Sequence, residues 1–245
     1  MDEPFVKNDL VVTRMTPADI NGAIDTIQQA FADDPYSRWI FDQREFSPVR
    51  NRVSLTHRCH WGIKHGLFYV CRSESSKKIL GCAMWLPPRK AGQQESWAEW
   101  CSAWLLWLKQ GWMNLSHGRG GLNVARYWAW KGAQAEAQKA VWTDPNGYYF
   151  CNIVTVLPEA QGRGVGRALM EVVLERADRE GRKCYLESSR REPNVGIYER
   201  FGFGLVREMG CEVGGEGVRL YCMVREPGGK IAEVCGSEGV VGCLH

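Results

Sequence analysis

The sequence predicts an α/β (α+β) fold: a mixed central sheet of about seven strands flanked by helices, with a tryptophan-rich helical insertion between the third and fourth strands. Three observations carry this expectation. Runs of β-branched and aromatic residues alternate with segments whose apolar residues recur every three to four positions, the signature of strands interleaved with helices. The apolar run ending at Val156 passes straight into a glycine-rich turn that opens a helical pattern. At 245 residues, 44% hydrophobic and 24% charged, the chain is long enough to bury a substantial core and too apolar to be mostly disordered. We expect one domain over residues 1–225, with the insertion at about 91–143 and a glycine-rich tail at 226–245.

The elements run in chain order. Leu10–Arg14 has strand composition, and Thr16-Pro17 reads as an N-cap followed by a first helical residue. Ile20, Ile24, Ile27 and Phe31 give that helix a buried face until Asp33-Asp34-Pro35 stops it. Tyr36–Phe41 mixes aromatic and polar residues, and a second helix fits residues 47–65. Strands fit Leu67–Cys71 and Ile79–Leu86, joined by the polar turn Ser73–Lys78 and ended by Pro87-Pro88. Tyr148–Val156 is a strand, Val165, Leu169, Val172 and Val173 line the inner face of the next helix, and Gly181 caps it. Cys184–Ser188 is another strand and Asn194–Arg200 a short helix. Leu205–Glu208 and Val218–Val224 form a closing hairpin across a long glycine-rich turn.

The insertion holds eight of the 11 tryptophans, so it must put much aromatic surface somewhere. Trp97, Trp100, Trp104 and Trp107 fall on one helical face, and Trp128, Trp130 and Trp142 come after a glycine-rich break near Gly118–Gly121. We expect the stripe to pack on the body of the domain, a wall of a substrate pocket or a dimer surface being the alternatives. No apolar run approaches the ~20 residues needed to cross a bilayer, so no membrane span is expected.

The chemistry concentrates between Val154 and Arg167. Glycines at a helix N-terminus let a phosphate approach unpaired N–H groups and the positive end of the macrodipole, and Arg163 and Arg167 add charge. The spacing excludes two common templates. Gly166-Arg167-Ala168 is not the Gly-Lys-Ser/Thr of a Walker loop, and a single Val165 separates the last two glycines where a dinucleotide fingerprint needs two residues. What the segment does satisfy is Gln-x-x-Gly-x-Gly, at Gln161, Gly164 and Gly166, behind a Val-x-Val strand and a proline. It resembles motif A of the GNAT acetyltransferase family. Tyr185-Leu186-Glu187-Ser188-Ser189, followed by Asn194–Phe203, resembles motif B, and order and separation are similar to the puromycin N-acetyltransferase-like branch. The two motifs span about residues 148–205.

The resemblance implies the GNAT acyl-coenzyme A N-acyltransferase fold and acetyl-coenzyme A as cofactor. It assigns the pyrophosphate to Gln161, Gly162, Arg163, Gly164, Val165, Gly166 and Arg167, and pantetheine to the main chain of Val154 and Val156. A backbone N–H of Ile153–Thr155 would face the oxyanion, and Ser189, Asn194 and Arg200 would contact the cofactor further along. Asn194 also reads as a helix cap. Tyr198 is the candidate general acid for the leaving thiolate, or else a core aromatic between Ile197 and Phe201. A primary amine with pKa near 10 needs a proton acceptor, and Glu187, in an otherwise apolar strand, is the first candidate, although it could instead hold a structural partner. Asp34, with Asp33 beside it, and Tyr36 could face the acceptor, whereas a carboxylate pair before proline also reads as a helix stop.

A net charge of +3 with only short basic clusters disfavours nucleic acid. The acidic N-terminus lacks the regions of a secretory signal, so a cytoplasmic location is expected, with the ten scattered cysteines reduced and mostly acting as small core residues. His57, His60 and His65 with Cys59 form no complete ligand set, and no metal is expected. The leading function is acetylation of a primary amine on a small molecule (metabolite, polyamine or amino-bearing antibiotic) by a monomer or homodimer. Acetylation of a protein or peptide amine, and a non-catalytic acyl-coenzyme A sensor, are the alternatives.

Overall fold

The computed structural model describes residues 5–7, 9–90 and 97–229. Among these residues eight strands form one sheet in the order β1-β2-β3-β4-β5-β6-β8-β7. They are β1 (Phe5–Lys7), β2 (Leu10–Arg14), β3 (Leu67–Ser73), β4 (Ile79–Leu86), β5 (Tyr148–Val156), β6 (Lys183–Ser188), β7 (Phe203–Val213) and β8 (Glu216–Arg225). The seven strands read from the sequence are present, and β1 is an addition paired along β2. The sheet is mixed: β5 and β6 run parallel, and the other neighbours are antiparallel.

Seven helices among the described residues, α1 (Ile20–Ala30), α2 (Pro35–Ile40), α3 (Pro48–His65), α4 (Trp97–His117), α5 (Val124–Val141), α6 (Val165–Arg179) and α7 (Asn194–Glu199), flank the sheet. On one face α6 buries Leu169, Val173 and Leu174 against Val154, Val156 and Tyr149. On the other, α1 and α3 bury Ile24, Ile27 and Leu55 against Phe68, Val70 and Ile153. The approach of α6 to the sheet depends on Gly81 in β4, where a Cβ would stand 2.5 Å from the Thr155 carbonyl and 2.9 Å from Val165 Cγ1. Such contacts are repulsive, so only glycine lets the helix start sit this close to β4 and β5.

Three expectations need correction. The Asp33-Asp34-Pro35 stretch does more than stop α1: Asp34 caps α2, which Pro35 opens. The closing hairpin has no long turn, since β7 and β8 pair out to Val213↔Glu216 and turn through Gly214-Gly215 alone. Both glycines have positive φ, 65° and 81°, as a two-residue hairpin turn of this hand requires, while Gly210 and Gly217 lie within the strands.

The third correction concerns the insertion, which lies between β4 and β5 in this numbering. The outer stripe of α4 does not pack on the body: Trp97, Trp104, Leu105, Leu108, Trp112 and Leu115 are exposed, Trp97 at 81%. The side chains of Trp100 and Trp107, expected on the same stripe, lie outside the described ones. The packed face of α4 is the opposite one. There Ser54 donates to Gln110 Oε1 at 3.0 Å, Arg50 donates to Asn114 Oδ1 at 2.5 Å, and Met113 is buried. The packed face is thus mixed, with Met113 and Leu106 beside the polar pairs to α3. In α5, by contrast, Trp130 is buried. The glycine break is tied to the chain after α2 by the bridge Phe41↔Leu122, with the Asp42 N–H donating to the Gly121 carbonyl at 2.8 Å. Among the described residues no helix is long and apolar enough to cross a membrane. The tail expected at 226–245 lies outside the described residues from 230 onward, as do residues 91–96 of the insertion.

Gly81→Ala should lower stability by about 1–3 kcal/mol, the usual cost of overpacking, since the clash involves backbone that cannot swing away. Denaturant unfolding of the variant against the parent checks this, and an unchanged midpoint would contradict the close approach of α6.

Candidate active site

The site is organised by two strands that part. β5 and β6 pair over four residues each, from Tyr148↔Lys183 to Cys151↔Leu186. Beyond that point β5 goes on pairing with β4 as far as Val156, and β6 goes on pairing with β8 as far as Ser188. Each strand is thus held by its outer neighbour while the ladder between them ends, which leaves two facing edges with backbone donors and acceptors to offer. The opening starts at an irregularity. Met84 pairs with Ile153 and Trp85 with Cys151, so Asn152 is the extra residue of a bulge. Ile153, Val154 and Thr155, assigned from the sequence to the oxyanion and pantetheine, lie just past it. The Thr155 side chain points away into a buried cluster, its hydroxyl 3.1 Å from the Thr26 hydroxyl and 3.2 Å from Cys82 Sγ, so only its main chain is left for a ligand.

At the far end of β5 the chain makes a short 3-10 turn, Pro158–Ala160, and then the glycine turn into α6. Gly162 and Gly164 have φ of 73° and 84°, a left-handed conformation that suits glycine. Gly164 is the N-cap residue, and no side chain caps the helix. The Ala168 N–H is bonded to the Gly164 carbonyl at 2.9 Å, so Val165, Gly166 and Arg167 precede the first full helical bond. The turn from Gly162 to Gly164 is exposed. Arg163 is exposed beside it, whereas Arg167 is drawn back along the helix, donating from Nε to Glu171 at 2.5 Å.

Motif B splits between two surroundings. Tyr198, in α7, is fully buried on the α6 side of the sheet, edge-on to Phe203 with ring centroids 6.2 Å apart. Asn194 donates from Nδ2 to the Ser188 hydroxyl at 3.0 Å, which ties the start of α7 to the end of β6. Arg200 is the C-cap residue of α7. Glu187 is fully buried but faces α5: it accepts from Gln134 Nε2 at 2.8 Å, from the Tyr185 hydroxyl at 2.8 Å and from Gln138 Nε2 at 3.4 Å. Burial pushes its pKa above the ordinary glutamate value, and the bonds from Gln134, Tyr185 and Gln138 pull partly back.

Asp34 and Tyr36 are placed by structure rather than aimed at open space. Asp34 Oδ1 accepts from the Tyr36 and Ser37 N–H groups at 3.0 and 3.1 Å, and its other oxygen accepts from the Ser189 hydroxyl. The carboxylate therefore clamps α2 to the end of β6, and burial raises its pKa against those bonds. Tyr36 is buried behind Trp130, its ring centroid 5.0 Å away in an edge-to-face contact.

A cavity of about 270 Å³ lies against Asn152 and Ile153 on the face of the sheet opposite Tyr198. Phe68 and Met84 form its floor, Leu55 and Trp61 of α3 one wall, and Leu106, Tyr127 and Trp130 of the insertion another. Arg58 and Lys131 also line it. Sequence reasoning missed these residues. A signal existed, because Arg58 shares the inward stripe of α3 with Leu55, Cys59 and Gly62, where a charge is out of place. For Lys131 and the Asn152 bulge no local signal was present.

A family model described as the acetyltransferase (GNAT) domain matches residues 123–204. An uncharacterized N-acetyltransferase of Schizosaccharomyces pombe is 37% identical over 84 residues, 34% of this chain and 33% of the relative. The match thus spans about a third of that curated relative's length. Among solved structures, a Corynebacterium glutamicum protein described as histone acetyltransferase HPA2 and related acetyltransferase aligns with a TM-score of 0.60 at 19% identity, over 90% of this chain and 97% of the other. An agmatine N-acetyltransferase aligns at 0.59 and 15% identity, over 89% of this chain and 100% of that one. At these identities the likeness concerns the fold.

Asp34→Ala should destabilise the protein by about 1 kcal/mol or more, as loss of an N-cap does, because it also releases Ser189. Thermal unfolding checks this, and a variant as stable as the parent would show that the clamp carries no load.

Proposed function

We propose that the chain, whose residues 123–204 match the acetyltransferase (GNAT) domain model, transfers an acetyl group from acetyl-coenzyme A to a primary amine of a small molecule. One observation carries the reading: β5 parts from β6 after Cys151, and Asn152–Val156 run on from there to the Pro158–Ala160 turn and a glycine-opened helix start that no side chain caps. Those residues therefore join an anion cradle to a strand gap with the cavity beside it. The residues fit coenzyme A in chemistry as well as shape, since the exposed turn offers main-chain N–H groups, Arg163 and the positive end of α6 to a diphosphate.

Bound coenzyme supplies an activated thioester carbonyl. The protein has five tasks around it. Main-chain donors of Gly162–Arg167 hold the diphosphate, and the facing edges of Val154 and Val156 orient the pantetheine amides. An N–H at Ile153, just past the bulge, would face the thioester oxygen, where such donors contribute about 3 kcal/mol. Tyr198, on the α6 side of the gap, would supply a phenolic proton to the coenzyme's sulfur. Glu187 takes the proton that the amine must lose through a water relay, because the buried carboxylate stands behind Gln134 and does not line the cavity. Its raised pKa brings it toward the working range of a base, and it is held one helical turn behind Lys131 through Gln134. The cavity of about 270 Å³, walled by α3, α4 and α5, has room for a small acceptor.

Tyr198→Phe should lower kcat by about 10²-fold or more while leaving coenzyme binding intact, as expected for loss of a general acid. Thiol release across an amine panel tests this; tight coenzyme binding with no turnover on any amine would favour a sensor. The Glu187 carboxylate must be ionised to accept a proton, so kcat/KM should rise with pH through a pKa above the usual glutamate value. Glu187→Gln should abolish that limb. A limb that survives in the glutamine variant would assign the base elsewhere.

A further inference from the structure

The cavity beside Ile153 has a lining that discriminates among amines, and its reading as an acceptor site rests on the acetyltransferase function proposed for the chain. Its charged lining residues among those described are both cationic: Arg58 from α3 and Lys131 from α5. The polar remainder, Gln110 and Asn152, is neutral, and the rest is apolar or aromatic. The Glu187 carboxylate is not part of the lining. It sits behind Gln134, which stands between it and the ammonium: Lys131 donates to Gln134 Oε1 at 3.1 Å and Gln134 donates to Glu187 at 2.8 Å. Lys131 is also held over the Trp130 ring, 4.6 Å from its centroid.

Among the described residues the lining is electrostatically one-sided. Burial pushes the Lys131 pKa below the ordinary lysine value and the Arg58 guanidinium pushes it further, against a smaller pull from Glu187. Two cations near enough to repel, in a largely apolar enclosure, raise the cost of a cationic acceptor and lower that of an anion placed between them. The same lining suits an aromatic body. Trp61, Tyr127 and Trp130 offer ring surface, and an apolar cavity of about 150 Å³ already admits benzene, so about 270 Å³ holds a ring with a short substituted arm.

We infer that the acceptor is a primary amine on an aromatic or bulky apolar body that also carries a carboxylate, an amino-acid-like molecule, and that Arg58 and Lys131 recognise the carboxylate. Polyamines, which bring further positive charge and no apolar body, are disfavoured by the same groups. The insertion then has a purpose in the chemistry: α5 brings Lys131 and Trp130 to a cavity that the sheet and α3 alone would leave open.

Phenylalanine, phenethylamine and spermidine form a discriminating acceptor set, since the first two differ only in the carboxylate. With the full chain, kcat/KM for phenylalanine should exceed that for phenethylamine by about 10-fold or more, the scale of hydrogen bonds to charged groups. Lys131→Met and Arg58→Met should each remove most of that advantage through KM, lowering kcat/KM for phenylalanine far more than for phenethylamine. Equal or better use of phenethylamine or spermidine, or substitutions that depress both aromatic amines alike, would overturn the inference. A binding arm separates it from the catalytic reading. N-acetylphenylalanine should bind the coenzyme A-saturated protein more tightly than N-acetylphenethylamine, by calorimetry, with the preference lost in Lys131→Met. Absence of that preference defeats the carboxylate site whatever the turnover, whereas a clear preference with no amine acetylated defeats the catalytic reading and leaves the anion site standing.

Discussion

The structure turns on the early end of one β-ladder. Parallel pairing between β5 and β6 lasts only to Cys151↔Leu186, although both strands continue. Backbone polar groups in a sheet interior are costly to leave unsatisfied, so a gap of this kind persists only where each strand is anchored from outside and where something else can pair with the exposed edge. β4 and β8 provide the anchors. The Asn152 bulge begins the divergence, and α6, seated close to the sheet by Gly81, fixes the end at which the gap meets the glycine turn. Cradle and gap are therefore products of the same backbone path.

The helical insertion is coupled to this path through α5. Its inward face carries Trp130 and Lys131 to the cavity, then Gln134 and Gln138 one and two turns on to the buried carboxylate of Glu187. Moving α5 would change cavity shape and carboxylate environment together. α4 serves the assembly differently, covering α3 with its polar-paired face while its tryptophan and leucine stripe remains at the surface.

Much of the fold was legible locally. The strands announced themselves by β-branched and aromatic runs, Thr16 marked the 3-10 turn Pro17–Asp19 that leads into α1, and Gly164 and Gly181 marked the ends of α6, because capping chemistry depends on a few adjacent residues. The glycine turn was legible for the same reason. Tyr198 and Glu187 could be named as chemically apt, yet the sequence did not reveal that they face opposite ways, Tyr198 toward α6 and Glu187 toward α5. Asp34 reads as a helix stop from its neighbours; its clamp on Ser189 joins residues far apart in the chain and leaves no local mark.

The sequence alone determined the kinds of elements, their order, and the strand-turn-helix that offers backbone N–H groups to an anion, since each of these depends on residues within a few positions of one another. Tertiary structure decided what faces what. It left Trp97, Trp104 and Trp112 of α4 at the surface, parted β5 from β6, and set Arg58 of one helix and Lys131 of another around a single cavity. Such choices depend on competition among many contacts distant in sequence.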